Sequence, residues 1–157
     1  MHRPIAVLAV TVLLGCAHPG AGSTAPATCT ADANAALAAL VANRDPGPVD
    51  AVAVCGTTIG PSRPQRAGAH GGHQLLPLRV PLPGGGSALV EVVTNDTLDG
   101  RLTAPRDATI FALGQYFHTS ERQRPFVAGI HEVHCATHRG AADGYVVVNG
   151  RRFGCGA

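Results

Sequence analysis

Three histidines and a cysteine fall within eight residues, His131-Glu-Val-His134-Cys135-Ala-Thr-His138. Imidazole and thiolate are ligands for zinc and copper, so the first chemistry to weigh is a metal site, with His73 or His70 supplied from elsewhere in the chain. His131-Glu-Val-His134 is not the zinc-protease motif, which needs histidines at i and i+4 on a helix. Here they are three apart, in a segment flanked by Ile130 and Val133 that reads as strand. Residues three apart in a strand point to opposite faces. His131 then shares a face with Val133 and Cys135, and His134 shares the other with Glu132 and Ala136. A site that uses both needs a bulge or the end of the strand. His134 and His138 converge if the strand runs that far. The plainer role for these residues is as half-buried histidines hydrogen-bonded to backbone and to Glu132.

Other chemistries lack their residues. Glu132, Asp143 and Asp107 are not brought together by spacing, and the chain has three glutamates, Glu91, Glu121 and Glu132, which disfavours a glycosidase. No Gly-x-Ser-x-Gly elbow, P-loop or Gly-x-Gly-x-x-G is present, and Gly84-Gly85-Gly86 reads as a hairpin turn. Cys135-x-x-His138 lacks the first cysteine of a haem-attachment motif. No catalytic residue is assigned. The chain carries 12 arginines and 10 acidic residues, no lysine and six aromatic residues. That near-neutral balance argues against an electrostatic nucleic-acid binder.

The N-terminus carries an address. Met1-His2-Arg3 is a short basic start, Ile5 to Leu14 is apolar except for Thr11, and Leu13-Leu14-Gly15-Cys16 follows. The apolar run suits a secretory h-region and is too short to span a bilayer. Its ending resembles the lipobox of bacterial lipoproteins, which implies cleavage before Cys16 and lipidation of that residue. Residues 1–15 are then a signal peptide, 16–27 a flexible tether of small residues, Gly and Pro, and 28–157 a single domain. The expected location is outside the cytoplasm, anchored by lipid to the cell membrane or outer membrane, as a monomer. Four cysteines remain, and an even number in an oxidising compartment reads as two disulfides. Cys29–Cys55 and Cys135–Cys155 is the favoured pairing, with the other connectivities open.

The rest of the chain must position the histidines. Ala31 to Asn43 reads as a short helix with Thr30 as N-cap, a narrow apolar stripe of Leu37, Leu40 and Val41, and a stop at Asp45-Pro46-Gly47-Pro48; it should pack on the outside of the fold. Strands are expected over 50–59, 73–80, 87–94 and 108–117, with a mobile loop over 61–72 that holds His70. The second and third strands form a hairpin. Val127 to Thr137 and Tyr145 to Arg152 form a closing hairpin. The expected fold is mainly β, a small OB-like barrel with one short N-terminal helix.

Two resemblances bear on this reading. Gly56, His73-Gln74, Gly84 to Gly86, Asn95, Gly114-Gln115-Tyr116, Ile130-His131 with His134, His138, and Asn149-Gly150 follow one another in an order that resembles a bacterial family of small exported proteins classed as a domain of unknown function. It covers about two thirds of the chain. The resemblance implies an OB-like barrel and export, singles out His73, His131, His134 and His138, and implies no reaction. Cys135-Ala-Thr-His138 with Val146 to Gly150 resembles, more weakly, the C-terminal hairpin of cupredoxins. Asp143 stands where the copper-binding methionine is expected, and the only methionine is Met1. The expected function is therefore a lipid-anchored binding or accessory module for an envelope ligand. Its rival is a His-based zinc or copper protein, carrier or enzyme.

Overall fold

The computed structural model describes residues 29–68 and 71–157, with the side chains of residues 66–68 left aside. The leader, Cys16, the tether and His70 lie outside the described residues. Described strands are β1 (Val49–Thr58), β2 (Arg63–Gly68), β3 (Gly71–Pro81), β4 (Ser87–Asn95), β5 (Thr109–His118), β6 (Ala128–His131), β7 (Tyr145–Val148) and β8 (Arg151–Gly154). One helix, α1 (Ala35–Ala42), follows a 3-10 turn over Asp32–Asn34. None of the described helices is long and apolar enough to cross a membrane.

The strands close into a five-stranded barrel in the order β1-β3-β4-β6-β5, with β5 returning to β1. β4 and β6 run parallel and the other pairs are antiparallel. This is a small OB-like β-barrel. Its interior is filled by alternate residues: Val90 and Val92 of β4, Leu76 and Leu78 of β3, Val54 of β1, Ile110 and Tyr116 of β5, and Ile130 of β6. Closure pairs each of the five barrel strands on both sides over at least part of its length.

The β3–β4 hairpin forms as expected, in register from His73↔Asn95 to Pro81↔Ser87. Three expectations are corrected. First, residues 63–68 are strand β2, paired to β3, rather than loop. β3 runs on past the end of β1 and leaves an open edge that β2 covers.

Second, Thr30 does not cap the helix, and no side-chain cap is present at either the 3-10 turn or α1. The buried Asn34 side chain instead acts as a piece of strand. It accepts from Cys55 N at 2.7 Å and donates to Cys55 O and Pro81 O, each at 2.9 Å. Leu37 is fully buried in the barrel core, so α1 plugs one end instead of lying outside. Burying one leucine contributes about 2 kcal/mol.

Third, β6 and β7 do not pair. Both run antiparallel to β5 along one edge, β6 on Gln115–His118 and β7 on Ile110–Leu113. They are two pieces of one interrupted line, and residues 132–144 are an excursion between them. The closing hairpin is β7–β8. Asn149 and Gly150 turn it with φ of 47° and 85°, positive at both positions as a type I′ turn requires.

Candidate functional site

The excursion begins where the chain leaves β6. Glu132 has φ 52°, in the left-handed region, and this turns the backbone off the strand line immediately after His131. The excursion ends at Gly144, whose N–H donates to His134 O at 2.7 Å. A Cβ on Gly144 would collide with Glu132 O and Leu113 O, and one on Gly114 with His131 O, so both positions need glycine for the excursion to leave and rejoin so close to β5. Ala136 N donates to Asp143 Oδ1 at 2.9 Å across the loop. Cys135 is bonded to Cys155 beyond β8, and Cys29 to Cys55. Both pairs are those favoured from the sequence. The tail returns through Cys155 N, which donates to Gly144 O at 3.0 Å.

Beneath the excursion lies a cavity of about 750 Å³. Asp50 and Ala51 at the start of β1, His73 of β3, Asn95 at the end of β4, Gly114 and Gln115 of β5, and Glu132, His134 and His138 of the excursion face it. Ala51 has φ 55° and marks an irregularity in the β1–β5 register between Val49 and Val52. Gln115 Nε2 donates to Asp50 Oδ1 at 2.6 Å.

His134 is 7% exposed. Its Nδ1 is 2.8 Å from Cys135 O and its Nε2 is 3.0 Å from Glu132 Oε2. Both neighbours are acceptors, so whichever ring nitrogen carries a proton has a partner. His131 lies on the other side of Glu132, with Nδ1 3.6 Å from Oε1, too far for a hydrogen bond. Burial holds the His131 pKa below its usual value against the opposing pull of Glu132. Its ring meets Phe117 edge-on at 5.1 Å and does not line the cavity.

Asp99 sits behind the cavity, 8% exposed. One carboxylate oxygen accepts from Asn95 N; the other, Oδ1, is buried without a hydrogen-bond partner. Burial raises its pKa, opposed by the Asn95 hydrogen bond and by the nearby His134 and His73. Asn95 Oδ1 caps the same loop by accepting from Thr97 N and Leu98 N.

Three of the four candidate histidines, His73, His134 and His138, therefore face one space, and His131 does not. Among the described residues no three of their ring nitrogens and carboxylates approach closely enough to hold an ion as they stand. The group that does is Cys135, Asp143 and Cys155, and both of its sulfurs are committed to a disulfide. Sequence reasoning missed Asp50 and Asp99. Asp50 carries no local signal, whereas Asn95-Asp96-Thr97-Leu98-Asp99 directly after a strand is an Asx-turn pattern. The chain matches no family model, no curated protein and no solved structure.

Proposed function

We propose that this protein is an exported, lipid-anchored binding module of the cell envelope, and that the cavity under residues 132–144 receives a small polar ligand bearing a positive charge. The observation that carries the reading is the cavity itself, which gathers side chains from four barrel strands and a loop cross-linked to the tail. Its charge supports the ligand class. Asp50 and Glu132 line it, and no arginine is among its described lining residues. Two disulfides support an oxidising location, and the lipobox-like Leu13 to Cys16 supports the anchor. A second reading, zinc or copper, is favoured by the shared exposure of His73, His134 and His138 to one space.

The test uses the chain exported to an oxidising compartment. Thermal unfolding is followed with a short diamine, an alkylguanidinium and a dicarboxylate, and bound metal is measured in the same sample. Stabilisation by the cationic probes, lost in Asp50→Asn, supports the reading. Stabilisation by the dicarboxylate alone, or by none of the three, overturns it. Bound zinc or copper that His134→Ala removes selects the metal reading.

A further inference from the structure

A second groove, of about 340 Å³, lies at the opposite ends of β1, β3 and β4 from the first. Arg79 of β3 and Arg106, in the loop before β5, both line it, with the hydroxyls of Thr57 and Ser87. Neither guanidinium forms an ion pair or hydrogen bond with another described residue. Asp107 shares the groove and its carboxylate is paired with neither. Other arginines do have partners: Arg124 pairs with Glu121, Arg152 lies 3.6 Å over the Tyr145 ring and Arg151 5.0 Å over that of Phe153. Thr57 is the cross-strand partner of Arg79, and Ser87 pairs with Pro81 two residues on, so these side chains share one face, and guanidinium forks with hydroxyl donors are the groups that recognise a tetrahedral oxyanion.

We propose that Arg79 and Arg106, with Ser87 and Thr57, form a binding site for a phosphate group. Its position favours a phosphate that is presented from outside. Cys29, in the segment that leads into the first helical turn, has its Sγ 3.4 Å from Ile110 O and 3.7 Å from Gly56 O, beside Thr57. Asn34 then contacts Pro81, itself a wall of the groove. The groove and the segment from Cys29 to Asn34 thus share one end of the barrel. A headgroup of an anionic phospholipid and a free phosphate offer the same chemistry there. The site stands on its own residues and does not depend on what fills the first cavity.

The experiment compares the full chain with Arg79→Gln, Arg106→Gln and the exposed control Arg101→Gln. Inorganic phosphate is titrated first, with amide shifts of Thr57 and Ser87 as the readout. Vesicles of phosphatidylcholine with and without phosphatidylglycerol follow, with the bound fraction as the readout. Each groove variant should weaken phosphate binding by about tenfold, and Arg101→Gln should not. Shifts at Thr57 and Ser87 with free phosphate assign a soluble source. A preference for phosphatidylglycerol that only the groove variants lose assigns the headgroup. Absence of both effects, or binding that Arg79→Gln and Arg106→Gln leave intact, overturns the site. Unchanged thermal midpoints in these exposed-residue variants establish that the fold is retained.

Discussion

Cys29–Cys55 and Cys135–Cys155 span 26 and 20 residues, and chain entropy alone would give them similar worth, about 3 to 4 kcal/mol each. Their surroundings differ. Cys55 is fully buried and packs in a cluster with Phe111 and Tyr145, on a strand whose backbone is fully engaged by β5 and Asn34. Cys135 is exposed, on a segment without regular structure. The first bond reinforces a region already specified by strand register and close packing. The second holds a region whose backbone has few other partners. A cross-link therefore adds stability to the barrel, and adds definition to the excursion that carries Glu132, His134 and His138.

The comparison breaks most easily at the cross-links. Replacing Cys29 and Cys55 together by Ala should lower stability in urea by about 4 kcal/mol, with the cavity intact in molecules that remain folded. Replacing Cys135 and Cys155 should cost about 3 kcal/mol, and hydrogen exchange should accelerate across residues 132–144 while β1, β3 and β4 stay protected. Equal acceleration in both regions would erase the distinction.

Next in size is Asn34→Ala. It leaves Cys55 N–H and two carbonyls buried without partners and should cost about 3 kcal/mol by the same urea measurement. A smaller effect follows from acid. The folded pKa of His131 lies below the unfolded value, so the neutral ring is favoured in the fold. Its contribution is intact at pH above the unfolded value, about 6.5, and is lost as pH falls through it. A stability profile of His131→Gln should show a shallower loss over that window. Smallest of all is Glu91→Gln. Burial raises the Glu91 pKa against the hydrogen bond from Gln123, so its ionised form costs stability at neutral pH. The substitution should be neutral or stabilising by up to about 1 kcal/mol at pH 7, and that advantage should shrink as pH falls towards 4.5.

The barrel was largely legible because its signals are local. Leu76, Leu78 and Val80 alternate along β3, and the Pro81 to Gly86 turn joins it to β4 within hairpin distance. The excursion was not, because Ile130 to Val133 reads as strand and nothing local announces a left-handed Glu132. The strongest hairpin signal near the C-terminus, Asn149-Gly150, was assigned to the interior of a strand, and that single choice paired β7 with the wrong neighbour. Helix placement failed for a different reason. Leu37 reaches the core because the barrel end is open to it, a tertiary fact that no stripe width encodes. The histidines were found by composition, but the acids that share their space, Asp50 and Asp99, come from distant parts of the chain.

The interrupted line along β5 also orders events in time. Cys29 and Cys55 can meet once β1 has been made. Cys135 and Cys155 lie on either side of β7 and β8, which need β5 as a template, and β6 needs β4 and β5 together. In synthesis from the N-terminus, Cys29 and Cys55 emerge before Cys135 and Cys155, and the native register around the second pair draws on β4 and β5, which lie between. The cavity thus draws part of its wall from the region of the chain that is completed last, and a barrel held by the Cys29–Cys55 bond alone would keep its strands while the wall supplied by residues 132–144 lost its covalent tie to the tail.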